Sequence, residues 1–487
     1  MNKKVAVIGA GLAGCETSWI LAEHYGVNVT LFEGKKIKPT PAQVSPHLFA
    51  ELVCSNSLKS TSMLNPAGVL KNEIASLGSL VVPCALQARV PAGEALAVDR
   101  EFFSSTMTKT LQEHKNITVV DMVVHSIAQI EQADHFDAIV VATGPLTENS
   151  LADDLRQLSK SNELYFYDAI APIIDGETID LNIAFKANRE TRTSGFQKKY
   201  SLLPENQNNL LTQMEHDSGD YLNLPLSKEE YYAFVNRVLE GNKVPHHEFE
   251  EPRYFNGCQP IEVLAESGPR TLSFGPMKPK GLIDPHTGRE PYAAIQLRKE
   301  KMGDTAWNMV GFQTRLTWTA QKEIFRTLPG LQQAEFFRMG SMHRNTYFVS
   351  PDILTKEFSF KNNDKLYLAG QIMGVEGYLE SAAMGVLIGH TIGKKLGFHS
   401  SLPLPPANTS LGCLARYTLE TEAKRFSPMN IHWGLFDDVS STDLEQFAEP
   451  QFLGKKKLDK SEKRFVMAKR AQHAFQHWLG TFLPDFV

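Results

Sequence analysis

The sequence predicts an α/β fold: a Rossmann-like dinucleotide-binding domain, discontinuous along the chain, with a mixed α/β domain inserted into it. Three stretches carry that expectation. An apolar run over residues 4–8 leads directly into Gly9-Ala10-Gly11-Leu12-Ala13-Gly14. A second apolar run begins at Phe136 and ends in Ala142-Thr143-Gly144. A third, Leu366-Tyr367-Leu368-Ala369, enters Gly370-Gln371-Ile372-Met373-Gly374-Val375-Glu376-Gly377-Tyr378.

Each glycine of the first motif has its own task. Gly9 permits the tight turn, Gly11 lets a pyrophosphate approach the backbone, and Gly14 lets the following helix pack on the strand. The helix N-terminus then attracts the phosphates. A second strand over residues 27–32 ends in Glu33, placed to bind a ribose hydroxyl. Residues 35–65 read as a polar loop, and residues 69–80 as helical.

In two-domain flavoproteins a strand ending like Ala142-Thr143-Gly144 returns to the sheet beside the cofactor. The Gly370–Gly377 turn, followed by a helix of small residues from Ser381 to Gly385, supplies what a flavin needs from its far side. The dinucleotide is therefore expected to be FAD, held at Gly9, Gly11, Gly14, Glu33, Ala142, Thr143, Gly144, Gly370, Gln371, Gly374 and Gly377. The expected division is residues 1–160 and 345–440 for the FAD-binding domain, 161–344 for the insert, and 441–487 for a basic C-terminal extension. Within the insert, residues 187–220 are polar and short of apolar periodicity, as a solvated excursion would be.

Bulk composition narrows the class. With 42% hydrophobic and 22% charged residues, the 487-residue chain is an ordinary globular protein long enough for two to four domains. Net charge is only −5, so a nucleic-acid surface would have to be a local basic patch. No apolar run approaches a membrane span and the first residues lead into a strand, so the expectation is a cytoplasmic protein without a membrane partner. One local patch exists: Lys455, Lys456, Lys457, Lys460, Lys463, Arg464, Lys469 and Arg470 surround a helical stripe of Phe465, Ala468, Ala471, Phe475, Trp478 and Leu479. It reads either as a solvated helix face or as an RNA-contacting one.

Five scattered cysteines show no paired metal spacing, and without a Cys-x-x-Cys a disulfide reductase is the least expected reading. Cys54 lies in a Ser/Asn-rich loop, and Cys258 sits between Gly257 and Pro260 in a turn. A loop thiol near a cation can act as a thiolate nucleophile. Cys15, Cys84 and Cys413 read as small buried hydrophobes.

These segments, with those around Gly275-Pro276-Met277-Lys278-Pro279-Lys280-Gly281, Gly311-Phe312-Gln313-Thr314, Met342-His343-Arg344-Asn345-Thr346 and Pro428-Met429-Asn430-Ile431-His432-Trp433-Gly434, resemble the folate- and FAD-dependent tRNA (uracil-5-)-methyltransferases, the TrmFO family. The resemblance runs from about residue 3 to Phe436. It implies methylation of C5 of an RNA uridine, that of the tRNA T loop, with no protein partner required. The carbon would come from 5,10-methylenetetrahydrofolate and the electrons from NADH or NADPH through FAD. The matching cysteines are Cys54 and Cys258, one attacking C6 and the other assisting, in an order the residues leave open. His343 would stack on the pterin, and Lys278, Lys280, Arg298, Arg315 and Arg344 would hold folate carboxylate or RNA phosphate. Three departures stand out: the excursion at 187–220 and the tail after Phe436 look enlarged, and Pro66 interrupts the segment after the Cys54 loop. The same chemistry on a ribosomal RNA uridine, the longer wobble-uridine enzymes, and a flavin-bearing RNA-binding protein without catalysis are the alternatives.

Overall fold

The computed structural model describes the chain except residues 1–2, 41, 160–162, 190–220, 246–258, 302, 454, 456–457 and 487, and leaves undescribed the side chains at 163–164, 166–168 and 343–344. Cys258, Lys456, Lys457 and nearly all of the polar excursion at 187–220 therefore lie outside the described residues.

The Gly-rich motif opens a six-stranded sheet in the order Ser359–Phe360, Asn363–Leu368, Ala138–Val141, Lys4–Ile8, Asn28–Glu33, Ile117–Asp121. All its pairings are parallel except that between the first two strands. Strands from both ends of the sequence thus share one sheet, Leu368 registering beside Val141 and Val141 beside Ile8. Val5, Val7, Leu31, Val140 and Leu368 are fully buried, as continuous apolar strands covered on both faces require.

Two helices lie against each other over this sheet, Leu12–Trp19 and Tyr378–Phe398. Their close approach depends on glycines spaced four apart. A Cβ at Gly385 would come within 2.4 Å of the Ala13 carbonyl, and one at Gly389 within 2.8 Å of Ile20 Cβ. The first helix continues as a π-helical turn over Ile20–His24.

Pro66 does not interrupt a helix. It occupies the first turn of Pro66–Ser76, where its missing N–H is no loss, and Asn65 Oδ1 caps the end by accepting from Ala67 N–H at 3.0 Å. The loop at 35–65 also contains a short strand, Ser57–Ser60, paired with Ala95–Val98.

The inserted region builds a second, antiparallel sheet in the order Phe185–Lys186, Leu222–Leu226, Ala293–Lys299, Ala306–Met309, Ile173–Asp175, Phe336–Arg338. Helices Lys228–Glu240 and Trp318–Phe325 close a core of Tyr231, Phe234, Trp307, Phe312 and Phe325. A two-stranded ribbon, Glu163–Ile170 against Ser341–Phe348, connects the insert to the first sheet.

The tail is not an appendage. Helix Lys460–Phe482 buries Phe465, Val466, Ala468, Ala471, Phe475, Trp478 and Leu479 in the same core as the parallel sheet. Its cations are largely paired: Lys463 with Asp438 at 2.6 Å, Lys469 with Glu449 at 2.9 Å and Arg470 with Asp443 at 2.8 Å. Among the described residues no single helix is long and apolar enough to cross a membrane; one bent pair, Pro66–Ser76 with Val81–Gln87, passes on length and composition alone.

Candidate active site

The Gly-rich turn forms one wall of a cleft of about 220 Å³, lined by Gly9, Gly11, Glu33, Ala142, Thr143, Gly144 and Gln371. Gly9 adopts φ +100°, and a Cβ there would sit 2.8 Å from the Ala142 carbonyl. At Gly14 a Cβ would lie 1.9 Å from the Gly9 carbonyl, so this glycine serves packing. Gly11 is different: the nearest protein atom to an added Cβ is the Ala142 carbonyl oxygen at 3.9 Å. The protein leaves room for a Cβ at Gly11, and that room opens into the cleft.

Glu33 carries the carboxylate at the end of its strand. Oε2 accepts from Ala10 N–H at 2.7 Å and Oε1 from Lys35 N–H at 2.8 Å, which fixes the group at the cleft wall. The helices Leu12–Trp19 and Tyr378–Phe398 begin at Gly11 and Gly377, which have no side chains to cap them. Both first turns thus present backbone donors of the kind that bind phosphate and other oxyanions. Gly370, with φ +79°, is held against Ala13, and Gly374 against Phe426; these two shape the turn and do not line the cleft. The residues present fit a dinucleotide such as FAD.

A second cavity, of about 280 Å³, adjoins the cleft and shares Val53, Pro145, Leu146, Gln371 and Tyr378 with it. Cys54 lines this cavity. The other cysteines described are core residues: burial pushes the thiols of Cys84 and Cys413 up to about 12, and that of Cys15 well above its ordinary value. They are held as thiols, whereas Cys54 sits half-buried at a cavity wall.

The Cys54 loop is fixed from several directions. Its own N–H donates to the Tyr378 hydroxyl. Arg100 donates to the Leu52 carbonyl at 2.7 Å while its Nε pairs with Glu300 at 2.7 Å. Arg338 donates to the carbonyls of Val53 and Ala42 at 2.9 and 3.0 Å. Burial, with Arg100 nearby, holds the Arg338 guanidinium below its ordinary value. Asn56, fully buried, bonds Val98 and Lys299 carbonyls through Nδ2 and accepts from Arg298 Nε. The segment around Asn430 closes the cavity, with Glu376 N–H donating to the Met429 carbonyl at 2.8 Å.

Not every residue expected at the site is there. Lys278 and Lys280 are exposed on the insert and line neither cavity. Arg298 holds Asn56, and Arg315 lies beside Glu262 at 3.9 Å, so neither reaches the cavity. His343 and Arg344 stand opposite Asp168 and Tyr167 on the connecting ribbon, and the next residue, Asn345, lines the Cys54 cavity. Sequence reading missed Tyr378, Lys59, Asn345, Arg100 and Arg338. Tyr378, inside the Gly370–Tyr378 motif, and Asn345, inside the Met342–Thr346 motif, carried a local signal; Lys59, Arg100 and Arg338 carried none. Among the described residues no group of three His, Cys, Asp or Glu is placed to hold a metal.

The chain matches the family model described as Glucose inhibited division protein A over residues 4–218 and 204–398. It is 45% identical over 482 residues to a methylenetetrahydrofolate--tRNA-(uracil-5-)-methyltransferase TrmFO of Myxococcus xanthus (strain DK1622), covering 98% of this chain and 95% of that one. The TrmFO of Geotalea uraniireducens (strain Rf4) is 45% identical over 481 residues, 99% of this chain and 100% of the relative. The chain belongs to the TrmFO family. An alignment with the whole of a TrmFO relative also corrects the expectation that the tail after Phe436 lies outside the resemblance. Among solved structures, Aquifex aeolicus GidA in its form I crystal matches with a TM-score of 0.63 at 15% identity, covering 98% of this chain and 76% of that one. That likeness establishes the shared fold.

Proposed function

We propose that this protein methylates C5 of a uridine in tRNA, that of the T loop, with 5,10-methylenetetrahydrofolate as carbon donor and FAD reduced by NADH or NADPH. The observation that carries the reading is the shared wall between the cleft of the Gly-rich turn and the cavity of Cys54. A redox cofactor and a thiol then act on one substrate ring. Two TrmFO relatives of nearly equal length, named for this reaction, support the substrate class.

The chain's own groups divide the work. The two helix N-termini and Gly11 would take the pyrophosphate, and Glu33 a ribose hydroxyl. When bound, FAD supplies the electrons that bring the one-carbon unit to the methyl level. Uracil C5 is a weak nucleophile until a thiolate adds at C6, and after transfer the C5 proton must leave. Cys54 and Cys258 are assigned to these two duties, either way round. Val53, Leu146 and Tyr378 bound the space where water would compete. His343 and Arg344 are assigned to folate by their place on the ribbon beside Asn345.

The test is incubation of purified protein with methylenetetrahydrofolate, NADPH and unmodified tRNA or ribosomal RNA. 5-Methyluridine in tRNA is expected, and Cys54→Ala or Cys258→Ala should each lose it while keeping flavin. Product in ribosomal RNA alone would overturn the substrate assignment, and normal turnover by both variants would overturn the thiol mechanism.

A further inference from the structure

Among the described residues lining the Cys54 cavity, Lys59 is the one cation. Its backbone has φ +66°, a left-handed conformation that a lysine adopts only where the surroundings impose it. Its ammonium pairs with Glu380, whose carboxylate is fully buried at the start of the Tyr378–Phe398 helix. Glu380 Oε1 also accepts from Ile431 N–H at 2.9 Å, while Oε2 is buried with no hydrogen-bond partner. Gly377 makes room for the pair: a Cβ there would lie 2.5 Å from Glu380 Oε2 and 3.0 Å from Lys59 Nζ. Behind them Lys71 is fully buried, and burial pushes its ammonium down to about 7.

We propose that Lys59 is a catalytic residue that binds the oxyanion formed on the uracil ring. The inference rests on the methyltransferase reading. When a thiolate adds to the ring, the S–C6 bond forms, the C5=C6 π bond breaks, and its electron pair moves through C4 onto O4. The negative charge thus passes from sulfur to O4. An ammonium has three donors; Glu380 takes one and fixes the nitrogen, and another donates to O4 while the proton stays on nitrogen. A positioned donor in a partly dry cavity stabilises charge at the moment it develops, without reorganisation. Neither cysteine can do this, because the attacking sulfur has become a thioether with no proton to donate and a thiolate base is itself anionic.

The experiment compares wild type, Lys59→Met and Lys59→Arg in rate of covalent adduct formation with RNA carrying 5-fluorouridine, in RNA affinity and in flavin spectrum. Lys59→Met should slow adduct formation by roughly 100- to 1,000-fold, the effect of losing one oxyanion donor. RNA affinity and the flavin spectrum should stay unchanged, and Lys59→Arg should recover part of the rate. A wild-type adduct rate in Lys59→Met overturns the proposal, as does a shifted flavin spectrum, which would assign the lysine to the flavin. The wild-type control keeps the two readings apart: absence of adduct and of 5-methyluridine with wild type refutes the methyltransferase reading itself.

Discussion

Arg298 Nε donates to Asn56 Oδ1 at 2.8 Å across 242 residues of sequence. Both side chains are buried, and the bond ties a strand of the inserted sheet to the loop that carries Cys54. The position of Cys54 is therefore set by the insert as much as by the sheet that would hold the cofactor.

Asn56→Ala removes that tie and leaves a buried guanidinium donor without its partner. The expected cost is about 1–3 kcal/mol of stability. Flavin should stay bound, while 5-methyluridine formation falls because Cys54 is no longer held. Thermal denaturation read beside turnover checks this; a variant with normal turnover would show that Arg100 and Arg338 suffice to hold the loop.

Gly11 and Gly14 should fail differently. A Cβ at Gly11 meets no protein atom closer than 3.9 Å, so Gly11→Val should fold with native circular dichroism and be colourless. Gly14→Ala drives a Cβ to within 1.9 Å of the Gly9 carbonyl and must displace helix or strand, destabilising the fold by about 1–3 kcal/mol or more. Full flavin occupancy in a folded Gly11→Val would contradict the assignment of the cleft.

The tail supports the fold through its apolar stripe. Trp478→Ala or Phe465→Ala should each cost about 3–5 kcal/mol, measured by urea denaturation, and truncation after Phe436 should abolish folding. Changing Lys455, Lys456, Lys457 and Lys460 to Ala should leave stability nearly unchanged. A weaker, less salt-dependent RNA affinity in that variant would assign the patch to RNA, and an unchanged salt titration would assign it to a solvated helix face.

Lys71 makes stability depend on pH. Its folded value, about 7, lies below the ordinary lysine value because burial disfavours the charge. The unfolded chain therefore takes up the proton first, and stability from this group is lost as pH falls from the ordinary lysine range to about 7, then levels off. Lys71→Met removes the term, so its stability relative to wild type should rise between pH 10 and pH 7 and stay flat below. Parallel urea curves for the two proteins at every pH would contradict the assignment.

By itself the sequence determined the parallel strands, the Gly-rich turn and the return of residues 363–368 to the first sheet. Their apolar runs and glycine spacings are local patterns with one physical solution, and the family motifs named Cys54 with them. Pro66 shows the limit of such reading: the same residue breaks a helix or opens it, and Asn65 acting as a cap decides which. Only the tertiary structure decided that Arg298 serves Asn56 instead of a ligand, that Lys59 faces the cavity of Cys54 with Glu380 behind it, and that the basic tail carries a helix whose apolar face is buried and whose Lys463, Lys469 and Arg470 are paired. Each of these depends on a partner far away in sequence, and an ion pair or a buried contact leaves no periodicity in either segment that makes it.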